Sequence, residues 1–180
     1  MRLGIASLLM ASLMVVGCSI SQLKKKLDSE ELNHYRALRV YMDDPDSTGR
    51  RKKTDRKEFL SLKTRAERDK WLKDKSLWDR FYKYDAHIRE KIVDGSVQVG
   101  WDRQMVYMSW GHPFTRKKLP GRKASRSELL TYRFEQMRDG TIQLWVPGSK
   151  TEYKAARLFV QELFVDDDKV TEIQQKDAAW

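Results

Sequence analysis

The chain has 180 residues, with 36 Lys and Arg against 26 Asp and Glu, so its formal net charge is +10. This length allows one domain, or one domain with an appended helical segment. The single Cys excludes an intramolecular disulfide framework and a Cys-based zinc cluster. Six Trp, seven Tyr and six Phe argue against wholesale disorder.

The N-terminal residues have the pattern of a bacterial lipoprotein leader. Met1-Arg2 gives a positive N-terminal region before an apolar run at 3–16, which is shorter than the roughly 20 residues that cross a bilayer. The run leads into Val16-Gly17-Cys18, which resembles a lipobox. The resemblance implies cleavage before Cys18, a thioether-linked diacylglycerol on its sulfur and an acyl chain on its new amine. An ordinary signal peptide with an incidental Cys is the alternative.

The residue after the cysteine bears on the location. Ser19 stands where Asp is the familiar signal for retention in the inner membrane. By that resemblance we expect the mature chain to be lipid-anchored in the outer membrane, on its periplasmic face. The acyl chains on Cys18 would then be its membrane contact.

The first half of the mature chain has helical patterns. A tether is predicted at 18–27, and a helix at 28–42 begins with Asp28-x-x-Glu31, a capping-box pattern. A polar loop at 43–54 separates it from a short helical turn near Phe59.

Two more capping-box patterns follow. Thr64-x-x-Glu67 predicts the start of one helix, and Ser76-x-x-Asp79 predicts the start of a longer one that ends near Gly95. Apolar residues recur every three or four positions in the longer helix: Leu77, Phe81, Tyr84, Ile88 and Ile92.

The second half is richer in aromatic and branched residues. Strands are predicted at 129–136, 141–146, 157–164 and 169–173, with turns at Asp139-Gly140 and at 166–168. Helices followed by strands predict an α+β fold, in which an N-terminal helical region precedes a small antiparallel sheet of three or four strands packed on helices.

A helix-capping motif lies at 95–113, between the two halves. Asp102 is placed to cap a short helix, and Trp101 and Val106 have the spacing of a hydrophobic staple. Gly111 is placed to end that helix and Pro113 to prevent its resumption. Val106 and Trp110, four residues apart, should dock on the sheet.

This motif resembles a known family. The pattern Gly-x-Val-x-Val-Gly-x-x-x-x-x-Val-x-x-Ser-Trp-Gly-x-Pro is similar to that of the BamE-like (SmpA/OmlA-type) outer-membrane lipoproteins, with Gly100, Val106, Gly111 and Pro113 at the family spacing. The resemblance covers 88–174. It implies a two-helix, three-stranded α+β domain that acts as a non-enzymatic periplasmic interaction module, whose best-understood members assist the β-barrel assembly machine.

The chain departs from the family at Trp101 and Asp102, where Met and Thr are usual. The long helical segment before the motif is also outside the minimal family domain. That segment and the motif together resemble GWxTD-type bacterial proteins, although the Thr of that motif is absent. In chain order, the sequence predicts a signal peptide at 1–17, an acylated Cys and tether at 18–27, a helical region at 28–87, a BamE-like domain at 88–174 and a tail at 175–180.

The loop after the first predicted helix imitates a calcium-binding loop. Candidate oxygen ligands are Asp44, Asp46, Thr48 and Asp55, with Gly49 at the sixth position. However, four cations at 50–53 oppose a divalent ion, and the last position is Asp rather than a bidentate Glu. We therefore expect a solvated loop and no resident metal, with calcium as the alternative.

A basic cluster follows the motif, in a Pro/Gly/Ser-containing segment predicted to be a loop. Its members are Arg116, Lys117, Lys118, Arg122, Lys123 and Arg126. A solvated surface is the simplest interpretation. The functional alternative is contact with anionic lipid headgroups or with an acidic partner. Nucleic acid could use the same charges, but a periplasmic location excludes that ligand.

Catalytic signatures are missing from the sequence. The three histidines (His34, His87 and His112) share no metal-ligand spacing, and no nucleophile elbow, Walker A loop or dinucleotide fingerprint occurs. The sequence therefore predicts no cofactor and a non-enzymatic envelope lipoprotein that assists envelope or outer-membrane protein assembly. A docking lipoprotein of another envelope complex is the main alternative, and a calcium-binding or enzymatic lipoprotein is a weaker one.

Overall fold

The computed structural model describes residues 20–42, 55–145 and 154–178. Over these residues the chain has the predicted α+β architecture, with seven helices and one five-stranded antiparallel sheet. The helices are α1 (Ile20–Lys24), α2 (Ser29–Met42), α3 (Asp55–Ser61), α4 (Arg65–Asp74), α5 (Leu77–Tyr82), α6 (Ala86–Asp94) and α7 (Arg103–Trp110).

Two of the predicted capping boxes are formed. At the start of α2, the Glu31 N–H donates to Asp28 Oδ1 at 2.8 Å and the Asp28 N–H donates to Glu31 Oε2 at 2.9 Å. Thr64 and Glu67 make the same reciprocal pair at the start of α4. Each box satisfies backbone N–H groups that the first helical turn leaves without partners, so both helices begin where the sequence predicts.

The helix predicted from 76 to 94 is instead two helices, α5 and α6. Ser76 does not cap through its side chain and has a left-handed φ of +55°. The chain then leaves the helical path at 83–85, where the Tyr84 hydroxyl donates to Asp102 at 2.8 Å and the Tyr84 carbonyl accepts from Arg89 at 2.6 Å. The apolar period continues across this break, so periodicity alone could not reveal it.

The sheet contains β1 (Thr115–Lys118), β2 (Ser127–Met137), β3 (Ile142–Leu144), β4 (Ala155–Asp166) and β5 (Lys169–Asp177). The strand order is β1-β2-β4-β5, and β3 also pairs with β2. The two predicted hairpin turns are present. Gly140 has φ +85° in the first, and Asp167 and Asp168 have φ +46° and +67° in the second.

Five strands, rather than three or four, are found because β1 was predicted as a loop. Its sequence Thr-Arg-Lys-Lys has no apolar residue, and all four side chains are exposed. Charged side chains, lysines above all, are typical of edge strands, which must avoid pairing with other chains. The hydrophobic pattern therefore carried no signal for this strand.

One core joins the helices and the sheet. Its buried residues come from α2 to α7 and from β2, β4 and β5, and they include Leu38, Leu72, Val106, Leu130 and Leu163. The helical region 28–87 thus packs on the sheet domain through shared apolar side chains. Burial of this kind is the main driving force for folding.

Candidate interaction surface

The motif helix α7 has the predicted caps. The Met105 N–H donates to Asp102 Oδ1 at 2.9 Å, so Asp102 is the N-cap. Gly111 follows the helix with φ +81°, a conformation that favours glycine, and its N–H donates to the Tyr107 carbonyl at 2.8 Å. The prediction for both ends of α7 is confirmed.

The apolar residues of the motif lie in the core. Trp101 and Val106 are both buried. The Trp110 ring is 5.1 Å from that of Tyr132 and 5.0 Å from that of Phe134, and its indole N–H donates to the Gly95 carbonyl at 2.8 Å. The predicted docking of Trp110 on the sheet is therefore confirmed, Val106 is buried in the shared core, and neither side chain is available to a partner.

The backbone of Gly100 and Trp101 also pairs with the start of the last strand, β5. The Gly100 N–H donates to the Val170 carbonyl, and the Val170 N–H donates to the Trp101 carbonyl, both at 2.8 Å. Gly100 has φ +89°, which a residue with a side chain rarely adopts. The motif therefore connects the start of α7 to the first residues of β5 through backbone hydrogen bonds.

Three members of the predicted basic cluster form ion pairs with carboxylates. Arg116 contacts Glu128 through Nε at 3.0 Å and Nη2 at 2.5 Å, and Arg126 Nε is 3.3 Å from the same carboxylate. Arg122 makes a two-pronged contact with Asp166 at 3.1 and 2.8 Å. These arginines fasten β1 and the segment after it to the sheet.

Glu128 is the centre of this network. Its side chain is buried, and Arg103 of α7 adds a third contact at 2.9 Å. The hydrogen bonds from Arg116 are the main cause that lowers the pKa of Glu128 to about 2. The carboxylate is therefore ionised throughout the neutral range.

The other three members of the cluster are lysines. Lys117, Lys118 and Lys123 are exposed, and no described carboxylate lies within ion-pair distance of them. The structure therefore divides the predicted anion-binding set into structural arginines and free lysines. Beside them, a cavity of about 580 Å³ lies between 118–120 and 125–128.

An aromatic–arginine cluster that was not predicted from the sequence lies near β1, where the first residues before that strand meet β2. The Arg133 guanidinium is 3.6 Å from the centre of the Phe114 ring and 5.2 Å from that of Trp145. The two rings are 5.5 Å apart and nearly perpendicular. Phe114 is 42% exposed, and the cluster borders a cavity of about 220 Å³.

Strand register places Arg133 of the cluster and one of the lysines on one face of the sheet. Lys117 is opposite Leu129 and Thr115 is opposite Thr131, so these residues and Arg133 share the sheet face that points away from buried Tyr132. We call this the outer face. Alternation of Arg133 with buried Tyr132 and Phe134 was the available signal for it.

A further polar cluster lies among the helices. His34 Nε2 is 2.6 Å from the Tyr82 hydroxyl, which also donates to Glu30 at 3.1 Å, and Trp78 stacks on Tyr82 at 4.2 Å. Burial lowers the pKa of His34 and raises that of Tyr82 to about 12. This places His34 and these rings in helix packing, while His87 and His112 are exposed.

Several predicted sites lie outside the described residues. These are Cys18 and the calcium-loop candidates Asp44, Asp46 and Thr48, whereas Asp55 is in the first turn of α3, with Lys75 at 3.4 Å. Among the described residues, no group of three His, Cys, Asp or Glu could hold a metal ion. The described helices also include none with the length and apolar character needed to cross a membrane.

No protein-family model, curated protein or solved structure matches this chain.

Proposed function

We propose that this chain is an acylated lipoprotein on the periplasmic face of the outer membrane, and that its folded part is a non-enzymatic interaction module in envelope or outer-membrane protein assembly. The leader pattern ending in Cys18 supports the anchor. The arrangement of the outer face supports the interaction role, because it combines a half-buried aromatic–arginine cluster, in which Phe114 is exposed, with Lys117, which has no ion pair with a described residue.

The observation that carries this proposal is the Phe114–Arg133–Trp145 cluster. Trp and Arg are enriched among the residues that dominate binding energy at protein interfaces, and such residues cluster around small pockets. Phe114 is exposed although most large apolar side chains of the fold are buried. The neighbouring cavity of about 220 Å³ is of a size to receive an apolar side chain from a partner.

The lysines add attraction at longer range. Unpaired positive charge raises the rate at which a negatively charged partner associates, and salt screens this effect. An acyl anchor on Cys18 would keep the module at the membrane surface, which raises its effective concentration toward a membrane-bound partner. The partner that this chemistry fits is an acidic envelope protein with an exposed apolar side chain.

Affinity capture from detergent-solubilised envelopes tests the role. The wild-type chain should retain a defined complex, and the double variant Phe114→Ala/Arg133→Ala should lose it. Val99→Ala is the matched control, because Val99 is also an exposed apolar residue, at 59%, but lies outside the outer face. Recovery of barrel-assembly subunits would support the assembly role.

Other results would change the proposal. A different complex would favour the docking lipoprotein of another envelope machine. Equal capture by the wild type and the double variant would contradict the outer face as the docking surface. Cys18→Ala should release the protein from membranes, and persistent attachment would contradict the anchor.

A further inference from the structure

Helix α1 begins very close to the proposed anchor. Only Ser19 lies between Cys18 and Ile20, the first residue of α1. A trans chain extends at most about 3.6 Å per residue, so the Cα atoms of Cys18 and Ile20 are at most about 7 Å apart. Any lipid attached to Cys18 is therefore held next to α1.

Helix α1 is also part of the folded body rather than a free tether. Ile20 and Leu23 of the helix, and Leu27 just after it, pack against the hydrophobic core. The Lys26 and Leu27 N–H groups close the end of the helix with 3.2 Å bonds to the carbonyls of Leu23 and Lys24. The segment predicted as a tether thus attaches the anchor directly to the body.

The surface of α1 and the turn after it is positively charged. The Lys24 ammonium lies 5.3 Å from the centre of the Tyr35 ring, which is buried in α2. Lys25 and Lys26 are exposed, and no ion pair joins them to a described residue. Lysines at this distance from an acylated residue are attracted to anionic headgroups.

We propose that α1 is a membrane-facing mount, which holds the folded body at a fixed orientation against the bilayer with Lys25 and Lys26 in contact with anionic lipid headgroups. This inference rests on the proposed acylation of Cys18. A long flexible tether would let the body rotate freely above the membrane. A connection of one residue to a packed helix leaves one side of the body, that of α1 and its neighbour α3, at the lipid surface.

Nitroxide labels on the acylated full chain test the orientation in nanodiscs of phosphatidylcholine with phosphatidylglycerol. One label is placed on α3 by Glu58→Cys and another on the β2–β3 turn by Asp139→Cys, since both side chains are exposed. Because Cys18 is acylated, each variant has one free thiol. A headgroup-bound gadolinium lipid should relax the α3 label severalfold more than the turn label.

Two perturbations sharpen the test. A flexible Gly/Ser insertion of about 12 residues between Ser19 and Ile20 spans roughly 20 Å and should make the two labels nearly equal. Lys25→Gln/Lys26→Gln should reduce the difference between the labels. Lys117→Gln/Lys118→Gln removes the same charge from β1 and should leave the difference unchanged.

The outcomes separate this inference from the proposed function. Equal relaxation of the two labels in the acylated chain that has neither the insertion nor the lysine substitutions would contradict the fixed orientation, but not the anchor. An unacylated product by intact-mass analysis would overturn both. Failure to capture a partner would overturn the interaction role alone.

Discussion

Two buried carboxylates, one in the helical region and one in the sheet domain, have opposite surroundings. Glu31 of α2 is 2% exposed and pairs with Arg68 of α4, which is itself 5% exposed, at 2.6 Å. Glu128 of β2 is equally buried, but its partners Arg116 and Arg126 are about half exposed. The first pair is closed to solvent, and the second network opens onto the surface.

The difference indicates what each carboxylate does. The Glu31–Arg68 pair is saturated by internal groups: Glu31 accepts the Asp28 N–H, and Arg68 donates to the Leu62 carbonyl at 2.7 Å. It joins two helices and offers nothing to a partner. Glu128 fastens β1 and α7 to the sheet from inside, and so it positions charged surface residues. The pair in the helical region is therefore purely structural, and the network in the sheet domain supports the surface that carries the candidate binding residues.

Breaking the closed pair should have the largest effect. Arg68→Met leaves the Glu31 carboxylate buried without its cation, and the loss of one partner from a buried pair costs about 3–5 kcal/mol. We expect the free energy of unfolding in urea to fall by that amount. The double variant Glu31→Gln/Arg68→Met should recover much of the loss, because no charge is then buried. A loss below 1 kcal/mol in the single variant would contradict the description of this pair as closed.

Removing the charge from the open network should cost less. Glu128→Gln keeps the shape of the side chain but weakens its bonds to three arginines, which solvent partly screens. Hydrogen bonds to charged groups contribute about 1.5–3 kcal/mol, so we expect a loss of about 2 kcal/mol at pH 7. Glu162→Gln is a matched control on β4, since Glu162 pairs with Lys176 at the surface at 2.6 Å.

The contribution of Glu128 to the free energy of unfolding should also depend on pH. The pKa of Glu128 is lowered to about 2 in the folded chain, against an ordinary value of about 4.3 in the unfolded chain. A carboxylate whose pKa is lowered by folding stabilises the fold at pH values above its pKa in the unfolded chain. That contribution disappears as the pH falls through its pKa in the folded chain. The difference in stability between wild type and Glu128→Gln should therefore be constant above pH 5 and shrink toward pH 2. A constant difference over this range would contradict the ionised network.

The N-cap of α7 is an intermediate case, because it is half-buried and serves both regions. Asp102 accepts the Met105 N–H of α7 and the Tyr84 hydroxyl from the helical region. Asp102→Ala should cost about 1 kcal/mol for the cap. It should also lower the pKa of Tyr84, which burial and the bond to Asp102 now raise. Absorbance at alkaline pH measures the tyrosine titration.

A conservative substitution is the control for the cap. Asp102→Asn retains an acceptor for the Met105 N–H, so it should keep most of the stability. It removes the negative charge beside Tyr84, so the tyrosine pKa should still fall. Equal stability losses in the Asn and Ala variants would show that capping is not the main role of Asp102.

Features of the fold that depend on neighbouring residues could be predicted from the sequence, and features that depend on distant residues could not. Caps and turns depend on local chemistry, and those at Asp28, Thr64, Asp102 and Gly111 were predicted correctly. The break at 83–85 was missed because the apolar period runs across it, and the contact between Tyr84 and Asp102 that accompanies the break is tertiary. A helical period cannot encode a contact with a residue 18 positions away.

The candidate surface was predicted only in part for a similar reason. The sequence showed the cations that follow Pro113. It could not show that some of them are paired, because their partners Glu128 and Asp166 are on β2 and β4. Phe114 and Arg133 are distant in sequence, and they meet because the Phe114 N–H, just before β1, bonds to the Thr131 carbonyl of β2. Spacing along one strand could suggest a face, but it could not show which residues from two strands meet on it.

The smallest effect on stability is expected where the surface is most available to a partner. The triple variant Lys117→Gln/Lys118→Gln/Lys123→Gln should change the free energy of unfolding by less than about 0.5 kcal/mol, because these exposed side chains form no ion pair with a described residue. Partner capture should nevertheless fall, and more at low than at high salt, because salt already screens the attraction. The matched triple variant of Arg116, Arg122 and Arg126 to Gln removes the same charge but should destabilise the fold. If both triple variants lost stability equally, the division of this cluster into structural arginines and free lysines would be wrong.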